Sequence, residues 1–333
     1  MATLASGQIT LRPELATIAY EYSLKSANKG FIAEKVLPTF RVPLQYAVYP
    51  YIPIESILKV PADLKRAPRS AYKRTDWTFK MNNYNCTDQG LEEAVDDAEA
   101  RLYSRFFDAE QMAVLRNMDR VLRNREMRVA NVLQNTGQFP FGPNATQVSF
   151  EKTAVATPWN NFANATPRDD VMGARELMKY TTGIVPNTLI ITERLLWDLL
   201  RCDEVKDALK YTTPVEMMSI EAATKMLALY FEIDQVLVSG AIFDKAAEGQ
   251  PKNISGIWND SIACVCALSS GGEDLQEPCI GRTFLWEEDS PTPLVVETYR
   301  EEEIRSWIFR TRQNVGEGLV FTGANYLLTG CRM

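Results

Sequence analysis

The sequence predicts an α+β fold: a projecting β-hairpin, a long helix and an inserted α/β unit, followed by a β segment that returns to the helix. Three observations predict it. The segment TDWTFKMNNY alternates Trp77, Phe79 and Met81 against Thr78, Lys80 and Asn82, which is the two-residue period of a strand. From Leu91 to Leu133 there is no glycine or proline, and Leu91, Val95, Ala98, Leu102, Phe106 and Ala109 recur at helical steps. From Pro167 to Asp289, helical patterns alternate with short apolar runs.

In chain order, residues 1–40 read as an amino-terminal arm and lead-in, with a short helix in PELATIAYEYSLKSANK opened by Pro13. Residues 41–90 read as an extended hairpin. Its middle, KVPADLKRAPRSAYKR, carries Lys59, Lys65, Arg66, Arg69, Lys73 and Arg74 but too few large apolar residues to build a core. It should project and be ordered by an external partner, which would offset the entropy of fixing so long a loop.

Residues 91–166 contain the predicted helix over 91–133, which at 1.5 Å per residue would form a strut of about 60 Å. Its charges are graded, with Glu92, Glu93, Asp96, Asp97 and Glu99 early and Arg116, Arg120, Arg123, Arg125 and Arg128 later, as the helix dipole favours. In residues 167–289, Thr166 is placed to cap a helix that starts at Pro167, holds Asp169 and Asp170 in its first turn and stops near Gly183. The strand TLIIT, the helices RLLWDLL and SIEAATKMLALYF, and the strand IDQVLVSGAIF follow. Residues 290–333 are β-rich and are expected to return beside the long helix.

The chain has 333 residues, enough for two domains or one elaborate one, with 46% apolar and 24% charged residues. Thirty-six basic residues against 43 acidic ones give a net charge of −7, which disfavours tight nucleic-acid binding through phosphate neutralisation. The longest apolar run, Ile262 to Leu268, is far below the roughly 18 residues of a membrane helix, so no membrane partner is expected. MATLASGQIT lacks the basic and apolar regions of a secretory signal; with Met1 in place, the expectation is a chain that stays in the cell and loses no leading segment. Cys86, Cys202, Cys264, Cys266, Cys279 and Cys331 have no framework spacing and read as reduced thiols.

There is no histidine. Ser-His-Asp and Cys-His catalysis and His-ligated metal sites are thereby removed, and the prospect of an enzyme falls. The remaining short motifs carry no chemistry. Ser26-Ala-Asn-Lys29 fits SxxK but lacks its Lys-Thr-Gly partner. Asn144-Ala-Thr and Asn164-Ala-Thr are glycosylation acceptors without a secretion route. Cys264-Val-Cys266 has no second pair to close a zinc site. Glu287, Glu288 and Asp289, and likewise Glu301, Glu302 and Glu303, read as solvated acidic faces or as complements for a neighbour's basic hairpin. No phosphate-cradling, calcium-loop or dinucleotide pattern is present, so no cofactor is expected.

The order of elements, together with WNNFANATPRDDV, GIVPNTLIIT followed by a helix with Trp197, LALYFEIDQVLVSGAIFDKA and GIWNDSIACV, resembles the HK97-like major capsid proteins of tailed double-stranded DNA bacteriophages. The resemblance is strongest from Trp159 to Val265. It implies an extended (E) loop over 41–90, a spine helix within a peripheral (P) domain over 91–166, an axial (A) domain over 167–289 and a P-domain return over 290–333.

The implied role is self-assembly into the hexamers and pentamers of an icosahedral shell around the genome, without sequence-specific DNA contact, in a virion assembled in the host cytoplasm. Each E loop would lie on a neighbour, with its basic residues facing Glu92, Glu93, Asp96, Asp97, Glu301, Glu302 or Glu303. The other implied partners are a separate scaffolding protein, a portal and a decoration or cement protein. Trp159, Phe162 and Pro167 would anchor a hinge between the P and A domains. The rival expectations are an encapsulin-like shell around protein cargo and a cytosolic carboxylate-dependent α/β enzyme.

Overall fold

This computed structural model describes residues 10–11, 30–60, 63–66, 68–72, 74, 76, 78–103, 108–135, 153–209, 219–247, 249–272, 275 and 277–333. The expected amino-terminal helix, Lys73, Trp77 and the turn NTGQFPFGPNAT after its first residue lie outside them.

The strands are β1 (Thr10–Leu11), β2 (Thr39–Val42), β3 (Tyr46–Tyr51), β4 (Lys80–Asn85), β5 (Thr87–Asp96), β6 (Thr153–Ala154), β7 (Thr188–Thr192), β8 (Gln235–Ser239), β9 (Ile242–Asp244), β10 (Ile254–Gly256), β11 (Ile262–Cys266), β12 (Gly281–Trp286), β13 (Val295–Glu301), β14 (Ser306–Leu319) and β15 (Asn325–Thr329). The helices are α1 (Ala33–Val36), α2 (Ile54–Leu58), α3 (Asp97–Tyr103), α4 (Ala109–Leu133), α5 (Pro167–Thr182), α6 (Glu193–Arg201), α7 (Asp203–Leu209) and α8 (Ile220–Tyr230).

Two sheets carry the body. The first runs β1-β13-β14-β12-β2, with β5 also paired to the long strand β14. The second runs β6-β15-β11-β7-β8 and is buried on both faces. Alternate side chains explain that burial. Leu189, Ile191, Ala263, Val265 and Leu328 face the core shared with α5 to α8. Ile190, Cys264, Cys266 and Leu327 point the other way, onto α1, Ile280 and Val129, Ala130 and Leu133 of α4. The continuous apolar strand TLIIT is therefore the wall between two cores.

The long helix is shorter than the sequence predicts. Residues 91–133 do not form one helix: Thr87–Asp96 is a strand, paired antiparallel with β14 from Asp96↔Ser306 to Thr87↔Val315. The helical spacing of LEEAVDD loses to the ladder of hydrogen bonds that β14 offers. Asp108 then starts α4 by accepting hydrogen bonds from the backbone N–H groups of Glu110 at 3.0 Å and Gln111 at 3.3 Å. Twenty-five residues make α4 about 37 Å long rather than about 60 Å. Its buried stripe lies across β5 and β14, where Asn117 donates to the Phe309 carbonyl at 3.1 Å and Arg128 forks onto Glu317.

The boundaries read at 289 and 290 also shift. Gly281–Trp286 belongs to the first sheet, pairing with β14 and, in parallel, with β2. Asn325–Thr329 instead crosses into the second sheet beside β11. The two units are thus woven by the last fifty residues rather than divided at one point.

Glu126, on the inner face of α4, is fully buried. Its carboxylate accepts from the Trp258 indole N–H at 2.6 Å, from Ala33 N–H at 2.8 Å and from Ile32 N–H at 3.1 Å. It therefore holds the start of α1 and the turn before β11 onto one helix. Burial raises its pKa, opposed by these three donors. Glu126→Gln turns an amide N–H toward donors and should cost about 1 to 3 kcal/mol, read by urea denaturation; an unchanged midpoint would show that the clasp carries no stability.

Candidate interaction surface

The β3–β4 hairpin packs on its own chain at its base and exposes large apolar side chains beyond it. Its base is fixed. Tyr84 stacks on Phe284 at 4.6 Å, and Tyr49 and Phe40 each lie 6.0 Å from the same ring. The Asn82 side-chain amide donates to the Leu319 carbonyl at 3.1 Å and the Tyr49 hydroxyl at 3.0 Å. Gly316 is required here, because a Cβ would collide with the Asn85 carbonyl oxygen.

Beyond that base the described apolar side chains of the hairpin are largely exposed. Val60 is 75% exposed, Tyr72 74% and Met81 69%, and Ile57, Leu58, Leu64 and Phe79 are exposed with them. Large apolar side chains exposed together on a two-stranded hairpin make it a candidate protein contact, since an isolated hairpin is marginally stable in water. Lys59, Lys65, Arg66, Arg69 and Arg74 are exposed around these residues. Arg66 is turned inward on the loop, donating to the Ser70 carbonyl at 3.0 Å and lying 4.7 Å over the Tyr72 ring.

The expected acidic complements divide in two. Glu92 binds Arg310 and accepts from the Tyr299 hydroxyl, Glu93 pairs with Arg116, and Asp97 takes Arg300 through both oxygens at 3.1 and 2.8 Å. That guanidinium holds the Asp97 pKa below the usual carboxylate value. Asp96 accepts from Ala98 N–H at 2.6 Å, and Glu302 pairs with Arg300. These five carboxylates already serve their own chain. Glu301 and Glu303, on the turn between β13 and β14, are exposed with Ile304 and make no ion pair among the described residues.

Trp159 and Phe162, expected to anchor a hinge between the P and A domains, pack in the core of the second sheet. Trp159 is fully buried in the core of the second sheet, with Phe162 against that core. Its backbone N–H donates to the Cys331 carbonyl at 2.7 Å and its indole N–H to Asp170 at 2.9 Å, while its carbonyl accepts from the Cys202 thiol. Pro167 is buried at the first turn of α5. Trp159 is thereby tied to β15's exit, to α5 and to the residue before α7.

The six cysteines are all buried free thiols. Burial pushes Cys86 and Cys202 up to about 11 and Cys264 up to about 12. At pH 8 the folded chain should leave a thiol reagent such as Ellman's unreacted, and all six thiols should titrate after denaturation. A fast-reacting thiol in the folded chain would contradict this burial. Among the described residues no cluster of His, Cys, Asp or Glu is grouped to hold a metal, and no helix is long and apolar enough to cross a membrane.

No family model and no curated protein matches the sequence. Solved structures do match its fold. A phage-related protein of Bordetella bronchiseptica RB50 is 20% identical, with a TM-score of 0.70 over 97% of this chain and 98% of that one. The capsid of cyanophage P-SCSP1u is 11% identical, with a TM-score of 0.60 over 90% and 88%. A virus-like particle from Pyrococcus furiosus is 12% identical, with a TM-score of 0.53 over 92% and 96%. Along nearly its whole length the chain therefore has the fold that phage capsid subunits share.

Proposed function

We propose that this chain is an HK97-like major capsid protein, which closes with copies of itself into an icosahedral shell around double-stranded DNA. The observation that supports this most directly is the end-to-end match to a phage-related protein and a phage capsid subunit, each covering about nine-tenths or more of this chain. In this reading the β3–β4 hairpin is the E loop, α4 the spine helix, the first sheet the P domain and the second sheet with α5 to α8 the A domain.

The hairpin supplies the physics of assembly. Its uncovered apolar residues gain a partner on another copy, where its cations meet Glu301 and Glu303, which make no ion pair among the described residues. Such pairs are worth about 0 to 1 kcal/mol each when exposed. Apolar burial supplies affinity and the charges set register. The contact joins two different patches, so repetition closes rings, and hexamers and pentamers can be built from nearly the same interface. The role is structural rather than catalytic. A scaffolding protein, a portal and a decoration protein are its further partners, and the host cytoplasm is where assembly occurs.

A second reading is an encapsulin-like shell around protein cargo; the match to a virus-like particle supports shell formation in either reading. Particles purified from the producing host decide between them: DNA filling and a portal vertex support the capsid, whereas a uniform enzyme cargo supports the second reading and sinks the first.

A further inference from the structure

A concave, charged surface lies on the first sheet, on the face turned away from α4. Side chains alternate along β14, so Phe309 packs on α4 while Arg310 and Arg312 point to the other face, beside Glu297 of β13 and Asp88, Gly90 and Glu92 of β5. With Asp289 they line a concavity of about 540 Å³. Gly90 contributes no side chain to it: a Cβ there would lie 2.8 Å from the Arg312 Cβ and from the Thr311 carbonyl oxygen.

The charges of this concavity do not balance. Arg310 is shared by Glu92 and Glu297, and Arg312 by Glu297 and Asp289. Among the described residues, four carboxylates thus face two guanidiniums, and Asp88 is exposed and makes no ion pair. An excess of this sign favours a cation, and an arginine above all, because its planar fork engages two carboxylate oxygens at once.

The tip of the β3–β4 hairpin offers one. Pro68 and Arg69 form the centre of a turn, and Arg69 holds a φ of +66° there. Proline followed by a residue of positive φ is the pattern of a type II turn, in which glycine is the ordinary second residue. An arginine held in this left-handed conformation is strained, and strain of that kind points to a role for the side chain. Arg66 closes the turn from within, through the Ser70 carbonyl and the Tyr72 ring. Arg69 stays exposed and makes no ion pair among the described residues.

The tip points away from the concavity of its own chain. Along β14, Asn82 bonds to Leu319, Thr87 pairs with Val315 and Glu92 pairs with Arg310. Followed back from the concavity, the chain therefore runs past Leu319, the last residue of β14, before it enters the loop. A second copy can present its tip to this face instead.

We infer that Arg69 of one copy enters the concavity of the next and pairs with Asp88. The contact deepens the capsid reading and rests on it, since it names the surface that receives the hairpin tip. It is compatible with the contact at Glu301 and Glu303. Glu301 and Asp88 lie beside Ser306 and Asn314 of β14, positions about 27 Å apart along the strand. The stretch from Lys59 to Arg69 spans up to about 33 Å when extended, so one hairpin laid along the sheet serves both.

The test uses the full-length chain carrying Arg69→Lys, which keeps the charge and adds an amine that carbodiimide joins to a carboxylate in contact with it. Subunits grown in ¹⁴N and in ¹⁵N are mixed before assembly, and the products from closed shells are mapped by mass spectrometry. The expected product joins position 69 to Asp88 and includes mixed-isotope pairs, which two copies alone can give. Products confined to one isotope would overturn the contact in favour of a fold-back within the chain. Coupling of position 69 to Glu301 or Glu303, with none to Asp88, would overturn it in favour of the β13–β14 turn.

Charge reversal gives the second readout. Arg69→Glu and Asp88→Arg should each cut the yield of shells about tenfold, and the two together should restore it to within about twofold. The circular dichroism of the subunits should not change, because both side chains are exposed. Normal shells from either single variant, or a double variant no better than the worse single one, would refute the pairing. Shells that form without the cross-link overturn only this contact, whereas a wild-type chain that never assembles overturns the capsid reading itself.

Discussion

Trp159→Ala should lower the stability of the folded chain by about 3 to 5 kcal/mol, the usual cost of emptying a large buried aromatic site. It should abolish particle formation at the same time. The effect is large because two attachments fail together: the ring fills the core between α5 and β15, and its indole N–H satisfies Asp170. Trp159→Phe separates these contributions, since it keeps much of the volume and loses the Asp170 bond, at about 1 to 3 kcal/mol. Chemical denaturation followed by circular dichroism measures both. A Trp159→Ala chain within 1 kcal/mol of its parent, or one that still forms shells, would show that this residue anchors nothing.

The second large effect is on assembly without any effect on folding. Tyr51 pairs directly with Lys80 across the hairpin, so residues 52–79 can be replaced by a two-residue Asn-Gly turn. The base stays intact, because Tyr49, Tyr84 and Phe284 are untouched. The shortened chain should unfold within about 1 kcal/mol of its parent, as expected when only surface residues are lost. It should fail to form particles, because the exposed apolar surface of Val60, Leu64 and Tyr72 is gone. Normal shells from this chain would remove the hairpin from the assembly interface.

What could be read in the sequence, and what could not, follows from where each signal resides. The helix α5 was legible because its signals are local: proline in the first turn, two acidic residues after it and Gly183 in the left-handed conformation at its end. TLIIT was legible for the same reason, as a short unbroken apolar run. The strand β5 was not, because LEEAVDD has helical spacing and its deciding partner, β14, lies more than two hundred residues away. One local clue to the true start of α4 was present in Asp108-Ala-Glu-Gln111, the residue pattern of a capping box.

The interaction surface divides in the same way. The basic residues of the hairpin were visible, but its exposed apolar side chains carry the larger share of any contact, and exposure is not written in residue type. The acidic residues around Glu92 read as free charge because their arginines, Arg116, Arg300 and Arg310, are distant in sequence. Glu126 has no local signal in the sequence: its donors at Ile32, Ala33 and Trp258 lie about a hundred residues to either side. For Trp159, nothing local in the sequence shows that β15 packs in the same core.

The most direct measurement of the central claim is sedimentation velocity of the purified full-length chain, with electron microscopy of whatever sediments. The capsid reading predicts closed shells of many copies in which the β3–β4 hairpin of each subunit is covered by a neighbour. A monomer or small oligomer that persists across protein concentration and salt, with the hairpin still exposed, would contradict it.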